Sequence, residues 1–280
     1  MSYYSIFDSI AEKGHRWGGL VTYLRYAGSL NEVLNDLVEV IKREDYSFDD
    51  DIILALHPPR ILRAIIDYKI EHPEADGVED LLIEAVNVAL SIYSHHRRTD
   101  PTILENLRKQ ASVYEGLLNG ELRENKDSVS WDATYPERSE KTVLRQFTSL
   151  EDRTDILFIS LAHGSLPSGM DVFLRYQDLS KSSNSVFYPV RLSRYDKNDK
   201  EPQLTAKERS YLKDAAKGRY VVIYDEDSNY GKTIKMAEAY FSGLFPGSPI
   251  TATTNYHLLS DLKELVQKPL NLIKQMVGKK

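Results

Sequence analysis

The sequence predicts an α/β protein, with a parallel, doubly wound sheet preceded by an all-α N-terminal domain. Early in the chain, apolar residues recur at helical spacing and no strand-like alternation is evident. Later, short apolar runs alternate with helical patterns, which is typical of parallel strand–helix–strand units. A polar stretch separates the two patterns. We therefore predict a helical domain over residues 1–125, a linker over 126–138 and an α/β domain over 139–280.

The first part carries clear signals for the starts and ends of helices. Ser29-Leu30-Asn31-Glu32 is a capping box that opens an amphipathic helix. Asp100-Pro101 combines an N-cap residue with a proline in the first turn, and we expect that helix to run through Leu118. Because proline disfavours the helical conformation of the residue before it, we expect His57-Pro58-Pro59 to lie between helices.

The second part reads as strands separated by helices. Thr205-Ala206-Lys207-Glu208 is a capping box, and its helix is expected to end at Lys217-Gly218. A further helix is expected over residues 231–241. Four short apolar runs are predicted as buried strands: residues 155–161, 186–192, 219–224 and 250–256.

Composition excludes several classes of protein. A length of 280 residues corresponds to about two domains. The absence of cysteine excludes disulfide frameworks, Fe–S clusters, thiolate metal sites and cysteine nucleophiles, and it fits a reducing compartment. We see neither a signal peptide nor an apolar stretch long enough to span a bilayer, so we expect a cytoplasmic protein without membrane contact. A net charge of −6 makes nucleic acid an unlikely partner.

The most informative segment follows the third predicted strand. Ligands of open α/β sheets bind beyond the carboxyl ends of the strands, and here a buried strand leads into Asp225 and Glu226, a turn and a helix. Amide groups at a helix N-terminus hold phosphate, whereas adjacent carboxylates suit sugar hydroxyls or a metal ion, and together they indicate a ribose 5-phosphate. The simpler interpretation is a capping acid on a surface turn. The predicted phosphate loop comprises Asp227, Ser228, Asn229, Tyr230, Gly231, Lys232 and Thr233.

A second candidate loop follows the first predicted strand. It consists of Ala162, His163, Gly164 and Ser165, and a Gly-Ser turn can present backbone N–H groups to an anion. An ordinary strand-to-helix turn explains the same residues equally well. The Gly-Lys-Thr of the phosphate loop is not a nucleotide-triphosphatase P-loop, because Glu226 occupies the position of that motif's first glycine.

These residues resemble a known family. The Asp225-Glu226 pair and the loop from Asn229 to Thr233 look like the signature of type I phosphoribosyltransferases, and His163-Gly164-Ser165 lies where that family has its pyrophosphate loop. The charged stretch after Val190, which includes Arg194, matches the position of the family's mobile catalytic loop. The resemblance covers residues 139–256 and implies a sheet of the phosphoribosyltransferase type.

The resemblance implies a transfer of phosphoribose from phosphoribosyl pyrophosphate to a nucleobase-like acceptor, or the reverse from a nucleoside monophosphate. Asp225 and Glu226 would bind the ribose hydroxyls and could contact a Mg²⁺ ion, which would neutralise the pyrophosphate. Arg194 would contact phosphate. Asn229 and Tyr230 depart from the family's usual residues, which favours a second hypothesis, a non-catalytic sensor of a phosphoribosyl ligand.

Two further possibilities concern the helices. An effector of a bacterial stress or defence system is a third hypothesis, because a helical fusion to a divergent family core would suit it. The helical part could hold the acceptor base, form a homo-oligomer or bind a protein partner.

Overall fold

A computed structural model describes residues 3–12, 28–45, 47–122, 136–147, 150, 154–162, 164–182, 184–192, 200–227 and 231–256, with side chains for all of these except Arg97, Asp227 and Tyr256. The helices are α1 (Ile6–Glu12), α2 (Leu30–Lys42), α3 (Phe48–Glu71), α4 (Val78–His95), α5 (Thr102–Ala111), α6 (Pro136–Phe147), α7 (Leu166–Ser180), α8 (Ala206–Ala216) and α9 (Lys232–Leu244). The strands are β1 (Ile156–Ala162), β2 (Val186–Arg191), β3 (Tyr220–Asp227) and β4 (Ile250–Tyr256), and a 3₁₀ turn spans His96–Arg98.

The four strands form one parallel sheet in the order β2-β1-β3-β4. Every residue of β1 is buried, as expected for a strand that is flanked on both sides and covered on both faces. The prediction of an α/β protein with a parallel sheet is therefore confirmed. All four predicted strands form, and β3 extends three residues further than expected.

Helices pack on both faces of this sheet. Phe173 of α7 contacts Phe158 and Phe187, whereas Tyr211 of α8 contacts Tyr188. Since successive strand residues point to opposite faces, α7 and α8 lie on opposite sides of β2. This arrangement is compatible with a doubly wound fold. The edge strand β2 also carries Pro189, and helices α3 and α4 pack against it.

The capping boxes predicted at Ser29 and Thr205 are both present. The expectation of a break at His57-Pro58-Pro59 is wrong, because both prolines lie inside α3. A proline at position 59 leaves the carbonyl of Ala55 without its helical donor. The Tyr93 hydroxyl of α4 donates to that carbonyl at 2.6 Å, so a contact between helices replaces the lost bond.

Two predicted boundaries differ from the structure. The helix expected to reach Leu118 ends at Ala111 and is followed by turns. Helix α6 begins at Pro136 and thus includes residues 136–138 of the predicted linker, whereas residues 126–135 lie outside the described part. Within the described residues, no helix combines the length and apolar character required to cross a membrane.

Candidate functional site

The strand order defines one switch point in the sheet. From β1 the chain crosses to β2 on one side, and it then returns past β1 to form β3 on the other side. The carboxyl-terminal halves of β1 and β3 are neighbours there, with Ser160 opposite Tyr224. Ligands of open α/β sheets bind in the crevice at such a point. Both candidate loops leave the sheet at this place.

The first loop contacts the end of β3 through Gly164 and Glu226. A Cβ atom at position 164 would lie 2.1 Å from Oε1 of Glu226, far inside van der Waals contact. Only glycine allows the carboxylate to approach the backbone so closely. Residues that are 62 positions apart in the sequence are therefore side by side at the switch point, as expected from strand ends that share one edge of a sheet.

Asp225 and Glu226 are the last residues of β3 whose side chains are described, rather than members of the loop after it. Successive strand side chains point to opposite faces, so Glu226 lies on the α7 face, where it contacts Gly164, and Asp225 lies on the other face. The amide of Glu226 donates to Oδ1 of Asp225 at 3.1 Å. Both side chains are partly exposed and are accessible to a ligand.

Below these acids lies Tyr224, which is completely buried. Burial raises the pKa of its phenol well above the ordinary value of 10.0, and the carboxylates of Glu226 and Asp225 raise it further. The phenol is therefore neutral at physiological pH. It adds no negative charge beneath the two carboxylates.

The helices that follow β1 and β3 begin differently from the others. Among the residues that the structure describes, no side chain caps α7 or α9, and neither helix has an acidic residue in its first turn. Every other α-helix in the described part of the chain has at least one acid there, and α2, α3 and α8 also have complete capping boxes. The first-turn acids of those helices are Asp8, Glu32, Asp49, Asp50, Asp51, Glu79, Asp80, Glu105, Glu137 and Glu208.

The absence of caps and acids has an electrostatic consequence. The first amide groups of a helix lack partners within the helix and carry its positive partial charge. At α7 and α9 no acidic side chain of the helix itself offsets that charge. The two starts follow the carboxyl ends of neighbouring strands, and the carboxylate of Glu226 lies against Gly164, just before α7.

Ser165 stabilises the turn between β1 and α7. Its hydroxyl is buried and donates to the carbonyl of Leu161, and it also lies 2.8 Å from the hydroxyl of Ser160. These bonds fix the turn between β1 and α7 and leave the hydroxyl directed into the protein. The preceding Ala162 is buried at the end of β1, so the described part of this turn offers amide groups rather than side chains.

At the other loop, Gly231 is the N-cap of α9 and adopts a left-handed conformation with φ of 61°. Glycine adopts this conformation without strain. Lys232 is exposed and Thr233 is half-buried, both in the first turn. The structure thus describes one end of the predicted phosphate loop.

Several predicted site residues lie outside the described part of the chain, and their roles stay predictions. They are His163, Arg194, Ser228, Asn229 and Tyr230, together with the side chain of Asp227. Sequence reasoning also missed the start of α7, whose first turn contains the buried residues Leu166 and Ser168. Pro167 in that first turn was the signal that could have marked a helix start here.

The donor set limits which metal the site could hold. Among the described residues, no group of three histidine, aspartate or glutamate side chains is arranged to bind a metal ion. Mg²⁺ is commonly held by one or two carboxylates together with phosphate oxygens of a ligand. Asp225 and Glu226 are two carboxylates, so they fit a Mg²⁺ site of this kind but not a site that needs three or more protein ligands.

Comparisons with other proteins identify no relative: no protein-family model matches the chain, and neither does any curated protein. The functional proposal below therefore rests on the residues of this chain.

Proposed function

We propose that the chain binds a phosphoribosyl ligand at the switch point, either phosphoribosyl pyrophosphate or a nucleoside monophosphate, and transfers phosphoribose between pyrophosphate and a nucleobase-like acceptor. One observation carries the proposal. Among the described residues, the two helices that begin at this point have neither caps nor acids in their first turns, and two partly exposed carboxylates end the strand before α9, one of them in contact with Gly164 just before α7. Two anion-binding starts beside two carboxylates suit a sugar with a phosphate group at each end.

Each part of the ligand has a partner in this proposal. The amide groups at the start of α9, from Gly231 to Thr233, bind the 5-phosphate. Asp225 and Glu226 accept hydrogen bonds from the ribose hydroxyls. The amide groups at the start of α7 bind the pyrophosphate, and the contact between Gly164 and Glu226 supports this, because it joins the ribose and pyrophosphate subsites.

The contact between Gly164 and Glu226 also explains why binding of pyrophosphate would need a cation. The carboxylate of Glu226 adjoins the turn assigned to the pyrophosphate, and two anions at that distance repel each other. A Mg²⁺ ion held by Glu226 and by phosphate oxygens of the ligand would neutralise the charge that develops on the leaving pyrophosphate.

The transfer step places a positive charge near the carboxylates. The bond between C1 of the ribose and the pyrophosphate oxygen breaks, the oxygen keeps the electron pair, and an acceptor nitrogen forms the new bond to C1. The nitrogen then releases its proton to water. Asp225 and Glu226 stabilise the cationic ribosyl centre, and the α7 amide groups stabilise the departing anion.

The proposal extends to the rest of the chain. The sheet would be of the phosphoribosyltransferase type, and the helices before residue 123 would form an all-α part that holds the acceptor or a protein partner. Arg194 would contact phosphate.

Titration with phosphoribosyl pyrophosphate and Mg²⁺, followed by a pyrophosphate assay with a panel of bases, tests the proposal. We expect saturable binding, and we expect Asp225→Asn and Glu226→Gln each to slow pyrophosphate release by about a hundredfold or more, since charge stabilisation in a transition state has this magnitude. Asp214→Asn is the matched control, because Asp214 is an exposed carboxylate near the C-terminal end of α8. It should leave binding and release unchanged.

The possible outcomes separate the hypotheses. Binding with release of pyrophosphate supports the transferase. Binding without release from any base would assign the pocket to a sensor. An absence of binding to the wild-type protein would show the proposal to be wrong.

A further inference from the structure

Helix α3 holds both ends of the connection between β2 and α8. Arg191, the last residue of β2, donates from Nη1 to Oδ1 of Asp67 at 2.9 Å. The Lys69 ammonium donates to the carbonyl of Gln203, shortly before α8, at 3.3 Å. The amide of Gln203 donates to the carbonyl of Arg191 at 2.9 Å and so closes the connection. Two residues of one helix thus contact both ends of the connection.

The contact at the α8 end is charged and buried. Nζ of Lys69 lies 2.6 Å from Oε1 of Glu208, and only 3% and 0% of the two side chains are exposed. The Tyr188 hydroxyl of β2 donates to the same oxygen at 2.7 Å, and the amide of Thr205 donates to Oε2 at 2.7 Å. Removing one partner of such a pair leaves a buried charge uncompensated, so the pair favours one relative position of α3, β2 and α8.

The second link between the helices and α8 is of a different kind. Lys207 pairs with Asp80 of α4 at 2.8 Å, but half or more of each side chain is exposed. Exposed ion pairs contribute little to stability. Glu79 of α4 also accepts from the Thr205 hydroxyl at 2.7 Å, but this contact reaches only the α8 end, whereas α3 contacts both ends of the connection.

The connection ends next to the candidate site. Arg191 is the register partner of Ala162, the last residue of β1, immediately before the turn to α7. We propose that Asp67 and Lys69 are positioning residues: they fix the carboxyl end of β2 and the start of α8 against the sheet, and they thereby couple the N-terminal helices to the ligand site. The coupling to a ligand rests on the proposed function, whereas the hold on the connection does not.

Hydrogen exchange of the Gln203 amide measures directly how firmly the two ends of the connection are held together, because this amide donates to the carbonyl of Arg191. We compare the full-length wild-type protein with Asp67→Asn and with the double variant Lys69→Met/Glu208→Gln, in which the buried pair is removed without leaving a lone charge. Exchange should be faster by about tenfold or more in both, as expected when charged hydrogen bonds are lost. The matched control, Asp80→Asn, breaks only the exposed pair and should exchange as the wild type does.

The second measurement is the affinity for phosphoribosyl pyrophosphate with Mg²⁺. Asp67→Asn should bind it about fivefold more weakly or worse, Asp80→Asn should not, and the ligand should slow exchange of Gln203 in the wild type, because coupling between two sites is reciprocal. A purely structural role of Asp67 would leave this affinity unchanged.

Each outcome decides one part. Unchanged exchange in Asp67→Asn overturns the proposal, even if the double variant fails to fold. Faster exchange with unchanged affinity overturns the coupling. A wild-type protein that binds no ligand would refute the proposed function, and exchange of Gln203 would then still decide whether α3 holds the connection.

Discussion

Helices α7, α8 and α9 each follow a strand of the same sheet. The positive partial charge at the start of α8 is compensated differently from that at the starts of α7 and α9. At α8, the Thr205 hydroxyl accepts from the amide of Glu208, and the Glu208 carboxylate accepts from the amide of Thr205. Among the described residues, no side chain caps α7 or α9, and neither helix has an acid in its first turn. The first-turn amide groups of α8 help to hold the fold together, whereas those of α7 and α9 are the groups that we propose for ligand binding.

The difference extends to the surrounding helices. The start of α8 is tied to α3 by Lys69 and to α4 by Glu79, whose Oε1 accepts from the Thr205 hydroxyl at 2.7 Å. At Gly231, the start of α9, a Cβ would meet no atom of the described residues closer than 4.0 Å. The protein thus combines a helix start held by side chains of α3 and α4 with the start of α9, whose first residues are partly or fully exposed at the sheet's switch point.

Among the variants at the start of α8, Lys69→Met should have the largest effect on stability. It leaves the buried Glu208 carboxylate without its cation, so we expect the free energy of unfolding to fall by about 3–5 kcal/mol. Urea denaturation measures the change. Lys207→Met removes the exposed pair on the same helix and should leave the unfolding curve almost unchanged. Equal losses of unfolding free energy in the two variants would mean that the buried pair does not stabilise the position of α8.

Thr205→Ala should have the next largest effect, because Thr205 is the cap of α8 and also bonds Glu79. We expect a loss of about 1–2 kcal/mol in the free energy of unfolding. Thr233→Ala, the corresponding removal of a hydroxyl from the first turn of α9, should change it by less than about 0.5 kcal/mol. Comparable losses at both positions, measured by thermal or urea unfolding, would remove the distinction between the two helix starts.

The sequence predicts the sheet and the meeting of the two loops because both depend on local patterns. Buried apolar runs define the strands, and parallel strands bring Gly164 and Glu226 to one edge. Two features could not be predicted from local patterns, and the reason is the same for both. The prolines within α3 are tolerated through the Tyr93 hydroxyl, and Lys69 meets Glu208 across 139 positions of sequence. Local propensity contains no information about either contact, since both depend on how distant elements pack.

The missing acids of α7 and α9, in contrast, are visible in the sequence. A single uncapped start is unremarkable, and the signal emerges only when all helix starts are compared and the sheet order shows that these two lie together. The comparison therefore needs both the sequence pattern and the topology.

The smallest expected change in stability tests the comparison most sharply. Thr233→Asp places an acid in the first turn of α9, where it offsets the helix dipole, so the free energy of unfolding should rise by about 0.3–1 kcal/mol. The same carboxylate would repel a bound 5-phosphate, so titration with ribose 5-phosphate should show weaker binding. Thr233→Asn is the uncharged control and should do neither to the same extent. A more stable variant that binds as well as the wild type would mean that the start of α9 is an ordinary uncapped helix end, because an acid there would then strengthen the fold without loss of ligand.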